Sequence, residues 1–365
     1  MSSKQPKKVL ILGANGFIGR NLTRILSNHI IFRFTRELNE IQNSETFDLV
    51  LNCIGCNRSD SHLEFEQSNV FVLDEISEQL QGKRIHTLVN LSTKHAGSKT
   101  SYGVTKEAGE HKLRQFCSER SIEFHNLRLP GVFGPGMKPS YNSVIATWCF
   151  NAANRLPLRI DEPDKNLELT HILDVACVIE SIIDGESYDL ETYTNTLSSI
   201  AHLIERFRQY ETDIVVYEPL TNFERHLFSC YMSYLEPSDT FASLIKHGDE
   251  RGSFVEVFKK PGAGQISVSI TPPGSAKRGM HFHTSKIERF YVAQGEALIT
   301  NKCLETGKQI SFTLSADDPK TFITIPNWAH WLENTSDVDL VLVIWASEHF
   351  DPERPDTVPC DYVKC

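Results

Sequence analysis

The chain has 365 residues, of which 40% are hydrophobic and 23% are charged, and its formal net charge is −10. This length is more than one core usually supports and predicts two or three domains. The negative charge, with no basic block, excludes nucleic acid as a general partner, and no apolar run approaches the roughly 18 residues of a membrane-spanning helix, so no membrane association is predicted.

The start of the chain, MSSKQPKK, leads into a strand-like apolar run without the apolar core and cleavage site of a signal peptide. The nine cysteines are an odd number without a regular framework. Such thiols are typical of reduced cytosolic proteins. We therefore expect a cytoplasmic protein.

The first predicted strand, 8–12, is apolar throughout, as expected for a strand that is buried on both faces of a parallel sheet. The sequence GANGFIG follows at once and precedes a predicted helix at 20–27. Glycines here either serve the turn alone or let the backbone approach a pyrophosphate at the helix N-terminus. The predicted dinucleotide contacts are Gly13, Asn15, Gly16, Phe17, Ile18 and Gly19.

The alternation of strands and helices continues through the first half, which predicts a doubly wound α/β sheet. Where an NAD-binding chain usually places an acid for the ribose 2′-hydroxyl, this chain has Arg33 and Arg36. We infer NADPH as the cofactor, while Glu37 beside Arg36 keeps NADH open. The further predicted strands are 30–34, 47–53, 86–91 and 124–129.

A tyrosine and a lysine stand four residues apart on the helix that is predicted after the strand at 86–91. Tyr102 and Lys106 therefore share one helix face. The lysine cation is expected to lower the pKa of the phenol, so that Tyr102 gives a proton to a carbonyl oxygen as the carbon receives hydride. Thr93, or failing it Ser92, would bind the same oxygen. The glycine turn upstream favours this reading over a merely packed ring, and the pair predicts a carbonyl reductase.

These motifs, together with RLPGVFGPG at 128–136, resemble the extended short-chain dehydrogenase/reductases, which act on nucleotide sugars. The resemblance implies that the segment from residue 128 lines the nicotinamide and the sugar nucleotide. The candidate substrate contacts are Arg128, Lys138, Asn142, Ser143 and His171, each of which is as readily a capping or core residue.

Near residue 245 the pattern changes to short β runs separated by turns, which predicts an all-β sandwich or barrel. We therefore place an NADPH-binding reductase domain at 1–244 and a β domain at 245–365. The predicted strands are 264–270, 288–292, 297–301, 309–314, 320–325 and 339–346.

A histidine cluster is expected on this barrel. His281 and His283 point to the same face of a strand, and Glu288 and His330 follow. Three histidines and a carboxylate suit a divalent transition metal such as zinc. The spacing resembles that of the cupins, although the turn before His330 lacks their usual glycine.

The segments DERGSF at 249–254 and RGMH at 278–281 also resemble the metal-free deoxysugar 3,5-epimerases, which are cupins in which this histidine is the base. His281 is thus a metal ligand or a general base, and the sequence leaves both open. A metal or Lys286 would stabilise an enolate oxygen. Arg251 and Arg278 become candidate contacts to the nucleotide sugar.

The order of a reductase and a cupin resembles bifunctional enzymes that make UDP-N-acetyl-L-fucosamine precursors for bacterial capsules and O-antigens. Matching segments are KPSYNSVIAT at 138–147, YMSYL at 231–235 and FDPERPDT at 350–357. The resemblance implies a homodimer that epimerises a UDP-2-acetamido-2,6-dideoxy-hexos-4-ulose at C3 and then reduces it at C4, in the L-talo/L-fuco or L-rhamno series. Two alternatives stay open: a monofunctional reductase with a structural or sugar-binding cupin, and a non-enzymatic sugar-nucleotide sensor.

Overall fold

The computed structural model describes residues 5–275 and 277–360. The chain divides into two compact units. The first runs to Arg208 and includes Pro219–Leu235, and the second comprises Gln209–Glu218 and the chain from Glu236 onward. The short segment 209–218 belongs with the second unit because it bonds to one of its strands: Val216 N donates to Lys259 O and Lys259 N to Ile214 O.

The first unit is built on five parallel strands in the order β2-β1-β3-β4-β5. A separate small sheet has the order β6-β7-β8, in which β7 pairs parallel with β6 and antiparallel with β8. The strands are β1 (Lys8–Leu12), β2 (Ile30–Phe34), β3 (Thr46–Asn52), β4 (Arg84–Thr93), β5 (Glu123–Leu129), β6 (Gly131–Phe133), β7 (Asn166–His171) and β8 (Tyr193–Thr196).

Helices connect these strands, and α1 begins at Phe17, three residues before the predicted start, because Gly16 with its extended backbone is the N-cap. A π-helical turn, Gln67–Phe71, joins α2 to α3. The helices are α1 (Phe17–Ile25), α2 (His62–Glu66), α3 (Val72–Gln79), α4 (Ser101–Glu119), α5 (Val144–Ala153), α6 (Ile172–Ile183), α7 (Leu197–Phe207) and α8 (Asn222–Met232).

Alternating side chains of the parallel strands enter two cores, one on each face of the sheet. Val9 and Ile11 of β1 pack with α1 and α6, whereas Leu10 and Leu12 pack with α3 and α4. Both sets are fully buried. Burial on both faces explains why the strands are largely apolar. Because the five strands pair in parallel, their carboxyl ends lie along one edge of the sheet.

The second unit has a six-stranded and a five-stranded antiparallel sheet, in the orders β16-β13-β18-β11-β10-β9 and β15-β14-β17-β12-β19. Their apolar side chains meet in one core, which includes Phe290, Ile299, Leu332 and Leu342. The strands are β9 (Lys246–Asp249), β10 (Gly252–Lys260), β11 (Gly264–Thr271), β12 (Arg278–Phe282), β13 (Glu288–Gln294), β14 (Glu296–Cys303), β15 (Gln309–Ser315), β16 (Thr321–Ile323), β17 (Trp328–Asn334), β18 (Leu340–Ala346) and β19 (Val358–Pro359).

Among the described helices, none combines the length and the apolar character that crossing a bilayer requires. Free thiols are found at seven of the nine cysteines: Cys53, Cys56, Cys117, Cys149, Cys177, Cys230 and Cys303.

Candidate active sites

The turn between β1 and α1 forms a cradle of backbone. Gly13 has a φ of +77°, and a Cβ on Gly19 would lie 2.3 Å from the carbonyl oxygen of Gly13, so neither position accepts a side chain without strain. The N-cap, Gly16, provides no side-chain acceptor, and the first turn of α1 has no acidic residue. The free N–H groups of this helix end therefore fit an anionic pyrophosphate.

The other predicted residues of this turn have different surroundings. Asn15 is exposed, whereas Phe17 and Ile18 pack against the sheet core. Arg20 and Asn21 of α1 donate to the carbonyls of Gly136 and Pro135, which holds the 134–136 turn beside the cradle.

The two arginines after β2 differ in their contacts. The guanidinium of Arg33 bonds to the Glu40 carboxylate, with Nε–Oε2 at 3.3 Å and Nη2–Oε1 at 3.2 Å, and these bonds outweigh burial and lower the pKa of Glu40. Arg36 is exposed and has no hydrogen bond or ion pair to any described residue. Arg36 is thus the cation of the pair that is free to bind an added anion.

The catalytic candidates lie at the same edge of the sheet as the cradle. The cradle residue Gly13 packs against Ile54, and a Cβ on the next residue, Gly55, would lie 3.3 Å from Nζ of Lys106. Lys106 is 8% exposed and donates to the carbonyl of Leu91 at 3.3 Å. Burial lowers the pKa of Lys106, while the negative charge of Glu110 opposes this shift.

The Thr93 hydroxyl lies close enough to the Tyr102 phenol to act on its pKa, so the structure brings these two predicted hydroxyls together. Thr100 caps α4 by accepting from Gly103 N at 3.0 Å, which fixes the start of the helix that carries Tyr102 and Lys106. Burial raises the pKa of Tyr102 and outweighs the hydrogen bond from Thr93. We expected a lowered pKa; the structure instead keeps the phenol protonated at neutral pH.

Glu110 is a residue of this site that the sequence reasoning missed. Its buried carboxylate accepts from the Ser92 hydroxyl and from Arg128, with Nε–Oε1 at 3.0 Å and Nη2–Oε2 at 2.6 Å. Burial opposes its charge, but Arg128 and Ser92 outweigh burial and lower the pKa of Glu110. Ser92 and Arg128 are therefore engaged, and Thr93 is the hydroxyl that remains next to Tyr102. Glu110 follows Lys106 by four residues, and this spacing could have placed it on the same helix face as Tyr102 and Lys106.

The predicted substrate residues of the first unit divide into exposed and capping groups. Lys138 and Asn142 are exposed, with the Lys138 ammonium 5.5 Å from the centre of the Tyr141 ring. Ser143 caps α5 by accepting from Ala146 N at 3.2 Å.

His171 is buried and caps a helix. It is 1% exposed, caps α6 and stacks on His226 with ring centres 4.0 Å apart. Burial, followed by the charge of His226, lowers the pKa of His171 to about 3. The ring is therefore neutral, and it does not reach the surface in this structure.

In the second unit, His281, His283, Glu288 and His330 converge. Each contributes one ligand atom, and these atoms all lie within 4.8 Å of one another. Oε2 of Glu288 is 3.2 Å from Nε2 of His283 and 3.6 Å from Nε2 of His330. His283 and His330 are 2% and 3% exposed.

A β-bulge positions His281. Gly279 pairs with Trp331 and His281 with His330, which leaves Met280 as the extra residue, with a φ of 55°. A Cβ on Gly279 would lie 2.9 Å from the carbonyl oxygen of His330, so glycine allows the two strands to approach. The bulge places His281 directly opposite His330 on the neighbouring strand.

The hydrogen-bonding groups that face the centre of the cluster show whether a cation would fit there. Nδ1–H of His283 donates to the carbonyl of Asp356 at 2.6 Å, so Nε2 is the ring nitrogen that faces Glu288 and is left to bind a cation. Nε2 of His281, of His283 and of His330 is buried without a hydrogen-bond partner among the described residues. Converging nitrogen lone pairs and a carboxylate are a donor set that fits a divalent transition metal.

Two of the protonation states agree with that fit. Burial, followed by the charge of His330, lowers the pKa of His281 to about 4, so His281 is neutral. Burial opposes the charge of Glu288, but His283 and His330 outweigh it and hold the pKa of this carboxyl far below its usual range. Neutral imidazole and ionised carboxylate are the forms that bind metals. In the third, burial opposes the charge of His283, but Glu288 and the Asp356 carbonyl outweigh burial and raise its pKa, so binding of a cation displaces a proton there.

The predicted cations of the second unit have partners within it. The Lys286 ammonium donates to the Pro355 carbonyl and to Thr357 Oγ1. Arg251 bonds to Asp249, with Nε–Oδ2 at 2.9 Å. Burial lowers the pKa of Arg278, Asp249 opposes this shift and Arg251 adds to it, so these two arginines lie near each other.

A buried polar row on β11 was missed by the sequence reasoning. Gln265, Ser267, Ser269 and Thr271 are all buried, although they alternate with apolar residues as on a solvent-facing strand. Oγ1 of Thr271 has no partner among the described residues, and the same holds for Nδ2 of Asn301, which lies opposite His330 in the β14–β17 register. The interior of this unit therefore suits a polar ligand.

Comparison with known proteins covers both units. Residues 9–189 match the NAD dependent epimerase/dehydratase family, and residues 247–358 match the polysaccharide biosynthesis C-terminal domain. UDP-2-acetamido-2,6-β-L-arabino-hexul-4-ose reductase from Pseudomonas aeruginosa is 32% identical over 367 residues, which cover 97% of this chain and 98% of that protein. The chain belongs to the family of this reductase.

Solved structures agree with the family. The crystal structure of the capsular polysaccharide assembling protein CapF from Staphylococcus aureus is 30% identical, with a TM-score of 0.83 over 97% of this chain and 99% of that one. UDP-glucuronic acid 4-epimerase from Bacillus cereus, solved in complex with NAD, is 16% identical, with a TM-score of 0.52 over 62% of this chain and 96% of that one, and shares the fold.

Membership of this reductase family confirms the resemblance and the fold class that the sequence predicted. The chain joins an extended short-chain dehydrogenase/reductase unit with a parallel sheet to a cupin-like antiparallel β unit. The first unit is therefore that of a family that uses a nicotinamide cofactor.

Proposed function

We propose that this protein is a bifunctional enzyme of nucleotide-sugar metabolism. Its cupin-like unit epimerises a UDP-2-acetamido-2,6-dideoxy-hexos-4-ulose at C3, and its first unit then reduces the C4 ketone with NADPH to a UDP-N-acetyl-6-deoxy-L-hexosamine. The name of the Pseudomonas aeruginosa relative supports the substrate class. The homodimer and the cytoplasmic location inferred from the sequence remain part of the proposal.

The contact between Tyr102 and Thr93 beside the glycine cradle carries the reductase proposal. Tyr102, with its raised pKa, is protonated at neutral pH and gives its proton to the C4 oxygen, while Thr93 donates a hydrogen bond to the same oxygen. The buried Lys106 adds a positive charge next to them. A bound nicotinamide supplies the hydride.

The C3 proton of the substrate is acidic because of the neighbouring C4 ketone, so epimerisation has to precede reduction. The four-residue cluster supports this step, since its buried acceptors fit a divalent metal that supplies Lewis-acid stabilisation of the enolate. His281 is neutral, which is the form that either role requires, that of a metal ligand or that of the base that accepts the C3 proton. Arg251 and Arg278 would bind the diphosphate, and the polar row on β11 would face the sugar.

The proposal is tested by NMR of the purified protein with the 4-keto UDP-sugar in D₂O, first without and then with NADPH. We expect deuterium at C3 before any cofactor is added, because enolate formation needs no hydride. NADPH should then remove the ketone. Absence of exchange followed by NADPH-dependent reduction would leave a monofunctional reductase with a structural or sugar-binding cupin.

The choice of NADPH depends on Arg36, whose guanidinium is exposed and has no partner in the described part of the chain. Arg36→Ala should raise KM for NADPH about 10- to 100-fold, the loss expected for a hydrogen bond to a charged group, and leave KM for NADH unchanged. Steady-state kinetics with both cofactors measure this split. Arg24→Ala, in the last turn of α1, is the matched control. An equal rise for both cofactors in Arg36→Ala, or a wild type that prefers NADH, would contradict the assignment.

A further inference from the structure

The C-terminal segment of the described chain lies along the histidine strand. Phe282 and His281 of β12 pair with Val358 and Pro359, and Cys360 N donates to the Met280 carbonyl at 2.9 Å. We call residues 355–360 the strap. The strap thus follows β12, which carries His281 and leads directly into His283.

One side chain of the strap accepts an unusual number of hydrogen bonds. The Asp356 carboxylate accepts from the backbone N–H groups of Thr284, Ser285 and Lys286 at 2.9, 2.8 and 2.6 Å. It also accepts from the hydroxyls of Thr284 and Ser285 at 2.6 and 2.9 Å. These bonds outweigh desolvation and hold the pKa of Asp356 far below its usual range. The carboxylate therefore anchors the strap to the 284–286 turn.

The backbone of the same residue contacts the cluster. Its carbonyl accepts Nδ1–H of His283 at 2.6 Å, which leaves Nε2 of His283 directed at Glu288. Asp356 has a φ of 34°, a left-handed conformation that costs free energy for a residue with a Cβ and persists where its surroundings fix it. The Lys286 ammonium adds bonds to Pro355 and Thr357 on either side. Side chain and carbonyl of Asp356 thus hold the 284–286 turn and His283 together.

We propose that Asp356 is a positioning residue for metal binding by the cluster: its carboxylate fixes the strap so that its carbonyl holds His283 in the tautomer and orientation of a ligand. This inference rests on the proposed metal site. Partners that orient a ligating histidine typically contribute 10- to 100-fold to metal affinity. Asp356 lies 73 residues from His283 in the chain, so nothing local in the sequence links the two.

The test measures metal affinity on the full-length protein. Zn²⁺ binding is measured by competition with a chromophoric chelator, and the absorption spectrum of the Co²⁺-loaded protein reports ligand geometry. Asp356→Ala should lower Zn²⁺ affinity about 10- to 100-fold and alter the Co²⁺ spectrum. Asp356→Asn, whose amide oxygen still accepts, should lose less. Asp351→Asn is the matched control, because Asp351 lies a few residues before the strap and its carboxylate accepts from Glu353 N at 2.9 Å.

The outcomes separate the inference from the function on which it rests. A wild type that binds neither Zn²⁺ nor Co²⁺ would contradict both the proposed metal site and the role of Asp356. A wild type that binds, with Asp356→Ala equal to it in affinity and spectrum, overturns the role of Asp356 alone. A fall in melting temperature without a change in affinity or spectrum would likewise mean that Asp356 only stabilises the fold. Reduced affinity with an altered spectrum in Asp356→Ala, and wild-type values in Asp351→Asn, support the inference.

Discussion

Tyr102→Phe is expected to lower kcat for NADPH-dependent reduction of the 4-keto UDP-sugar about 10²- to 10⁴-fold, the contribution of a positioned proton donor. The substitution removes the phenol proton and the contact with Thr93 but keeps the ring, which packs beside Phe65. Binding of the substrate should change little, so KM should stay within a few-fold. Stopped-flow measurement of NADPH oxidation in a single turnover follows the chemical step directly.

Tyr188→Phe is the matched control, because it removes a hydroxyl that contacts His125 and not Thr93. The control should keep wild-type kcat. Deuterium incorporation at C3 should also be unchanged in Tyr102→Phe, since that exchange requires no proton donation to C4 oxygen. A Tyr102→Phe protein with wild-type turnover would refute the assignment, whereas a wild type that binds the nucleotide sugar but oxidises no NADPH would favour a sugar-nucleotide sensor. The pH profile carries a second check: an acid with a raised pKa loses activity only on the alkaline side, above the usual phenol pKa of about 10.

The elements that could be predicted from the sequence are those whose signal is local. The cradle at 13–19 and the pair of Tyr102 and Lys106 depend on spacing within one turn or one helix, and the structure places both at the carboxyl edge of the parallel sheet. His281 lies on β12 and His283 just beyond its end, and their local alternation was sufficient to predict that both side chains point the same way. Periodicity thus predicts which side chains point together.

Contacts between distant segments could not be predicted in this way. Glu110 reaches Ser92 and Arg128, each 18 residues away, because α4 packs across β4 and β5. Ser92 and Arg128 are both engaged by the buried Glu110, so their predicted roles toward the substrate have to compete with these bonds. Before the fold is known, no pattern in the sequence states which of several hydroxyls and cations such a carboxylate will take.

The polar or apolar character of a residue also failed to predict burial on β11, where the polar side chains are enclosed. The alternation QISVSIT of β11 is typical of a strand with one solvated face, yet the polar side chains are the buried ones and the apolar ones are partly exposed. Pattern gives the period of a strand but not which face is inside. The same limit applies to His171, a candidate loop contact that is a buried helix cap in the structure.

Removal of the metal, or Glu288→Gln, is expected to lower the rate of C3 deuterium exchange about 10²- to 10³-fold, as for the loss of one preorganised stabiliser of a developing oxyanion. Gln keeps the size of Glu288 but removes the anionic ligand oxygen, which lies 3.2 Å from Nε2 of His283 and 3.6 Å from Nε2 of His330. Metal content by atomic absorption and exchange by NMR in D₂O should fall together. Reduction by NADPH of a substrate already epimerised at C3 should continue.

Glu333→Gln is the matched control, because this glutamate follows His330 by three residues on β17 and pairs with Lys277 at 2.7 Å. It should keep both metal and exchange. Exchange that survives complete removal of the metal would contradict the ligand role of the cluster and would make His281 the base of a metal-free epimerase, as the alternative resemblance implies. His281→Ala would then abolish exchange without any metal present. With a pKa near 4, His281 is neutral and already in the form that accepts a proton, so the metal dependence of the exchange, and not the protonation state of the ring, separates the ligand role from the base role.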